Sequence, residues 1–269
     1  MAYGSLRPRV LQIVATVVLT ILIGAVSVLA VLSYHSAFGT SDPASCLSDH
    51  CFCEAPSLSG LAQPINAITS LVFVVFGVWV LMTREKIGKK TKERGLVLAF
   101  GIILIYFGVS SFFYHGTLSS LGQFLDIFSR YVFAILLLVG ALLRRNQIKL
   151  LQAVVLFIVL NIAFGLLQLH IPESHRLVFG LLLLPGILLE QQPKTTGYKW
   201  FSKQVRFLYI GIGTLTAGYI FRILDSSSAF CMTHSVIQGH AIWHILLATS
   251  VYMVILHYKH TPHKINSQK

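Results

Sequence analysis

Apolar residues in this chain come in long, nearly unbroken runs, without the strict alternation of a half-buried strand. Eight stretches, at about 10–33, 65–82, 96–114, 124–143, 150–167, 177–189, 207–223 and 236–257, are mostly apolar. A run of about 18 or more can cross a hydrocarbon core of roughly 30 Å as a helix, which satisfies every backbone N–H and C=O within the segment. The sixth stretch is short and contains Pro185, so it must lie obliquely, be flanked by protein, or begin before 177. Arg7 and Arg9 precede the first stretch as in a secretory signal. Its run exceeds the roughly 7–15 residues of a signal core, so it reads as a retained anchor. The pattern predicts an all-α, polytopic membrane protein: a seven-transmembrane-helix bundle with one additional N-terminal transmembrane helix.

Composition agrees, and charge then supplies the topology. Only 11% of the 269 residues are charged and 55% are apolar, with a mean hydropathy of +0.75, whereas a soluble domain is about 25% charged. The net charge of +12 would suggest nucleic acid if the basic residues formed a patch. They do not: Arg7 and Arg9, then Arg84, Lys86, Lys89, Lys90, Lys92 and Arg94, then Arg144, Arg145 and Lys149 punctuate alternate ends of the spans. Lys194, Lys199, Lys203 and Arg206, then Lys259, Lys264 and Lys269 complete the series, placing 18 of the 21 basic residues on one side under alternating topology. The positive-inside rule makes that side cytoplasmic, with both termini there. Nucleic acid is therefore not a partner, and the basic loops act as topological determinants that touch anionic lipid at most. The chain divides into a tail and extra anchor (1–36), a non-cytoplasmic Cys-containing loop (37–63), a seven-helix core (64–258) and a cytoplasmic tail (259–269).

Cys46, Cys51, Cys53 and Cys231 all fall on the opposite side. Four thiols confined to an oxidising face read as disulfides in preference to a metal cluster, with three pairings open. Such a face is a bacterial periplasm or an endoplasmic-reticulum or Golgi lumen, so the host membrane is a bacterial inner membrane or one of those two.

Against this apolar background, ionisable residues inside a span are functional candidates. Ser111 and His115 are four apart near the outer end of the third span, Asp126 lies just inside the same boundary of the fourth, and His240 and His244 are four apart in the eighth. Residues at i and i+4 share a helix face. Two imidazoles so spaced, with a third from another helix, make the three-protein-ligand set of catalytic zinc, whose fourth position takes water. Zinc lowers the pKa of that water to about 7, a carboxylate such as Asp126 can accept and relay its proton, and a hydroxyl such as Ser111 can bond a developing oxyanion. The chemistry indicated is metal-assisted hydrolysis of an acyl bond. Each residue also has a plainer reading: packed histidines, an Asp126–Arg130 ion pair at i, i+4, and a helix-packing serine. Arg222 and Asp225, at the outer end of the seventh span, read as structural partners.

Ser111-x3-His115, Asp126 eleven residues on, and His240-Ala241-x-Trp243-His244 resemble the motifs of the alkaline ceramidases, within a superfamily of seven-helix membrane hydrolases that also includes adiponectin-receptor-like proteins. Cys53-Glu54 with downstream Asn66 resembles that family's signature before its first core helix, and the likeness covers roughly 51–258. It implies zinc bound by His115, His240 and His244, Asp126 acting on the zinc water, Ser111 contacting the oxyanion or that water, and a disulfide between Cys53 and Cys231. The implied substrate is ceramide, cut at its amide to a sphingoid base and a fatty acid; because the motif residues sit in the outer half of the membrane, the lipid is expected to enter laterally from the outer leaflet. Another lipid acyl bond, or a receptor or lipid-binding role with a non-catalytic metal, are the alternative functions. The family's calcium ion carries over only through Glu54, because Cys51, Pro56 and Gln63 stand where further oxygen ligands are expected.

Overall fold

The computed structural model describes residues 6–39, 42–45, 52–57, 60–87, 91–191, 205–227 and 231–260. Cys46, Cys51, Lys89, Lys90, Lys194, Lys199, Lys203, Lys264 and Lys269 lie outside the described residues. Eight α-helices follow one another among those described: α1 (Leu6–Phe38), α2 (Pro64–Ile87), α3 (Thr91–Thr117), α4 (Ser120–Arg144), α5 (Leu150–His170), α6 (His175–Gln191), α7 (Arg206–Asp225) and α8 (Gly239–His260), with a 3-10 turn at Pro172–Ser174 before α6. All but α6 are long and apolar enough to span a membrane. Helix α6 has 17 residues and begins two positions before the apolar run does. Pro185 lies within it, and the following Gly186 lets α6 approach α4 closely, since a Cβ there would stand 3.1 Å from the Leu138 amide nitrogen.

Around the bundle, α6 packs on α4, α4 on α3, α3 on α2, α2 on α8, and α8 on α7, while α5 covers the outside of α4. Between α6 and α7 the wall is an apolar crevice lined by Phe133, Leu137, Leu183, Leu208, Ile212 and Val254 among others. Helices α1 and α5 turn rows of Leu, Ile and Val outward, the composition lipid requires. Helix α1 docks against α2 and α3.

The tightest seam is α2 on α3. Gly77 of α2 and Gly101 and Gly108 of α3 meet the facing backbone: a Cβ on Gly77 would lie 2.8 Å from the Gly101 carbonyl oxygen, and one on Gly108 would lie 3.0 Å from the Val74 nitrogen. Lipid gives helices no hydrophobic reason to associate, so small residues that let backbones approach supply the packing. This seam brings Thr69 of α2 and Ser111 and His115 of α3 to neighbouring positions.

Away from those residues, at the last turns of α4, α6 and α8, sits a buried polar knot. The Arg144 guanidinium is 3.5 Å from the Glu190 carboxylate and stacks 3.7 Å over the Tyr258 ring; His257 Nε2 is 3.4 Å from the same carboxylate. Buried charge is costly unless paired, and the pairing fixes the end of α6 to α4 and α8.

Gly77→Ala is expected to lose about 1–3 kcal/mol through overpacking of the α2–α3 seam. Gly213→Ala, in the middle of α7 where a Cβ meets nothing within 4 Å, should be neutral or gain up to about 1 kcal/mol from helix propensity. Thermal unfolding of the two variants in detergent distinguishes these outcomes.

Candidate metal centre

The local chain path sets up the third-helix histidine. Helix α3 ends at Thr117, and Leu118 takes a left-handed conformation (φ 47°). Ser119 then caps α4 by accepting the Gly122 N–H through its hydroxyl. Gly122 is required by close approach, because a Cβ there would fall 2.8 Å from the Tyr114 Cα. The first turn of α4 is thereby pressed against the last turn of α3, and Asp126 enters the bundle one turn later.

His115, His240 and His244 are all buried, and one nitrogen from each lies within 4.8 Å of the others. The ring centroids are 4.6–5.1 Å apart. His115 Nε2 and His240 Nδ1 are buried with no hydrogen-bond partner, an arrangement that costs free energy unless something else engages them. Three convergent imidazoles of this kind suit a metal ion.

Hydrogen bonds assign the protons. The Gln63 Nε2 donates to the Glu54 carbonyl oxygen at 2.9 Å, which fixes the amide orientation and leaves Gln63 Oε1 as acceptor for His115 Nδ1 at 2.9 Å. His115 therefore carries its proton on Nδ1, and its partnerless Nε2 presents a lone pair. On His244, Nδ1 is 3.2 Å from the Thr69 hydroxyl, and that hydroxyl spends its hydrogen on the Ile65 carbonyl at 2.8 Å. The Thr69 oxygen must then accept from His244 Nδ1–H, so Nε2 again holds the lone pair. Such outer partners orient metal-binding histidines and select their tautomers.

The loop before α2 closes the cluster. Phe52 lies with its ring centroid 4.1 Å from that of His240 and 4.8 Å from that of His115. Cys53 is disulfide-bonded to Cys231, with Cα atoms 5.2 Å apart, which ties this loop to the segment leading into α8. Asp225 completes the tie, since its carboxylate accepts the Cys53 N–H at 3.1 Å and the His240 N–H at 3.0 Å. It thereby serves an orphan amide at the positive end of α8. Asp225 does not pair with Arg222 as expected from sequence; its two oxygens go to backbone amides instead.

Asp126 and Ser111 occupy different distances from the cluster. Ser111 Oγ is 3.5 Å from His244 Nε2. Asp126 stands within electrostatic reach of His244 but is not among the grouped ligand atoms. Arg130 donates to one of its carboxylate oxygens at 2.5 Å.

Glu54 takes part in helix capping. Its two carboxylate oxygens accept the N–H groups of Ile65 at 2.7 Å and Asn66 at 2.8 Å, the first turn of α2, where Pro64 occupies the position that needs no donor. Calcium wants six or more oxygens. Among the described residues, the carboxylates here are Glu54 and Asp225, both already holding backbone amides, so the donors present do not fit that ion.

Gln63, Thr69, Phe52 and Asp225 thus serve the histidines although no spacing motif marks them. Gln63→Leu should weaken divalent-metal binding about 10–100-fold, read by competition with a chelator, and leave the helical content unchanged. Burial, with the neighbouring Asp225 charge, raises the Glu54 pKa above its ordinary 4.5 despite the two amide bonds that lower it. A group with a raised folded pKa contributes stability that is fully present below about 4.5 and is lost as the pH climbs through the raised value. Thermal stability measured against pH should show this decline in the unsubstituted protein and a flatter profile in Glu54→Gln.

A family model described as Ceramidase matches residues 46–269, which takes in the Cys53 loop and α2 through α8 and leaves α1 outside. A search of curated proteins finds no match. With the match extending over most of its length, the chain belongs to the ceramidase family, hydrolases of the ceramide amide bond.

Proposed function

We propose that the chain is a zinc-dependent intramembrane amidohydrolase that cuts ceramide, or a closely related lipid amide, to a sphingoid base and a free fatty acid. One observation carries the metal part of this reading: the buried His115, His240 and His244 cluster, in which the Nδ1 atoms of His115 and His244 are spent on Gln63 and Thr69. Neutral imidazoles with free lone pairs are borderline-soft donors suited to zinc, and three of them leave the fourth tetrahedral position open. Bound there, zinc supplies Lewis acidity and a water acidified to a pKa near about 7.

Asp126 is the general base of this reading: it accepts a proton from the attacking water and returns it to the departing amine. Arg130, paired to one carboxylate oxygen, holds the group in place through the i, i+4 contact. Ser111 donates its hydroxyl hydrogen to the carbonyl oxygen as negative charge develops on it. The bond formed is carbon to water oxygen, the bond broken is carbon to amide nitrogen, and the proton ends on the amine. Phe52 and its disulfide-tied loop cover the cluster, which favours lateral entry of lipid from the non-cytoplasmic leaflet. Both termini lie on the cytoplasmic side in this reading.

Incubation of the purified protein with a panel of ceramides, with and without chelator, should release fatty acid only while metal is present. Asp126→Asn should slow release by about 10²–10⁴-fold and Ser111→Ala by up to about 10³-fold. Metal analysis should find one zinc per chain, lost in His240→Ala and in His244→Ala; unchanged metal in both variants would overturn the site.

A further inference from the structure

Eighteen of the 21 basic residues fall on the side read as cytoplasmic, and the three that do not are Arg130, Arg176 and Arg222. They come from three different helices, α4, α6 and α7, yet the fold gathers them. Arg222 lies within electrostatic reach of both Arg130 and Arg176. His175, the first residue of α6, is within reach of all three, so they lie near the start of that helix. Arg130 has Asp126 as its partner. Among the described residues, the guanidinium groups of Arg176 and Arg222 form no ion pair or hydrogen bond.

Among the described residues these three cations have one carboxylate, Asp126, beside them and repel each other, and Arg222 is half-buried, where an unpaired charge near hydrocarbon is costly. Topology does not ask for them, since basic residues on this side oppose the positive-inside bias. Exposed Arg176 can reach interfacial water along its stem, but Arg222 sits beside Arg130 and in reach of the metal centre. Arg130 and Arg222 both act electrostatically on His115, His240 and His244. An excess of positive charge one step from the proposed reacting bond, at the membrane face, is completed by an anion.

We propose that Arg130, Arg176 and Arg222 form a recognition site for a phosphate-ester headgroup on the lipid whose amide is cut at the three histidines. The proposal rests on the hydrolase reading for the identity of the lipid. In a sphingoid amide the headgroup oxygen is carried by the carbon next to the one bearing the amide nitrogen, so a headgroup phosphate necessarily lies close to the scissile bond and on its interfacial side. The guanidinium fork matches phosphate oxygens bidentately. Arg176 and Arg222 are then specificity residues that leave the reacting atoms untouched, while Arg130 is shared between the headgroup and Asp126.

The test uses the full chain in detergent or lipid nanodiscs, and compares binding and cleavage of ceramide, ceramide 1-phosphate and inorganic phosphate. The unsubstituted protein should prefer the phosphorylated lipid. Arg222→Gln and Arg176→Gln should each lower the ratio of affinities for ceramide 1-phosphate over ceramide about tenfold, the loss of one charge-assisted contact. Because the ratio is taken within each variant, a general loss of folded protein does not imitate the effect. Equal affinity for both lipids, or a ratio that neither substitution changes, overturns the headgroup site and leaves the hydrolase standing. Arginine-dependent binding of inorganic phosphate with no preference between the lipids likewise overturns it, because the anion is then free phosphate. Phosphate-dependent lipid binding without any cleavage upholds the site and strikes the hydrolase reading instead.

Discussion

The hydrogen bond from His115 to Gln63 decides what the three-histidine cluster can be. An imidazole buried among helices has no water to settle its proton, so the neighbour on Nδ1 determines whether Nε2 is a donor or a lone pair. Gln63 is itself held by three further contacts: its side-chain nitrogen to the Glu54 carbonyl, its backbone N–H to the His115 carbonyl, and its own carbonyl to the Ala67 N–H. The start of α2, the end of α3 and the loop bearing Cys53 therefore converge on a single residue. Glu54 secures the α2 amides on one flank, and Asp225 secures the α8 amide on the other. The N-termini of α2 and α8, the two that meet the cluster, thus each have backbone donors answered by a buried carboxylate.

Much of this was legible in the chain, and the limits have a physical origin. Apolar runs mark spans because lipid imposes one long, local requirement on composition, and i, i+4 spacing put Ser111 with His115 and His240 with His244 because a helix face is a local property. The convergence of those two faces is not local, but a shared membrane depth limited the choices enough to bring them together. Gln63 and Thr69 escaped notice because they meet their histidines across 52 and 175 positions, and an uncharged Gln or Thr near a span end carries no compositional signal. Asp225 is visible as a charge, but sequence proximity points to Arg222, whereas the partners close in space are two backbone amides. The start of α6 was lost for a similar reason, since His175 and Arg176 are polar and a hydropathy run cannot register a helical turn made of them.

Among the described residues, two buried polar clusters lie toward opposite ends of the bundle. One holds the histidines with their amide-binding carboxylates, and the other ties Arg144, Glu190, His257 and Tyr258 at the opposite ends of α4, α6 and α8. Between them the interior is packed with Phe, Leu, Ile and Val. Among the described residues, α6 and α7 face each other across a largely apolar crevice, while each is firmly packed on another helix. The polar anchors thus hold the ends of the bundle, and the apolar packing fills the length between them.

Helix α1 lies outside the family match yet is fastened to the residue after His115. His35 Nε2 is 3.1 Å from the Gly116 carbonyl oxygen, which also receives the Ala62 N–H at 2.9 Å, and Val31 fills the space where a Gly116 side chain would stand. An appended segment that only tethered the chain to the bilayer would have no need of these contacts. Here it works as a splint, bracing from outside the turn of α3 on which His115 is mounted, so that part of the rigidity of the three-histidine cluster is contributed by a helix that the family match leaves out.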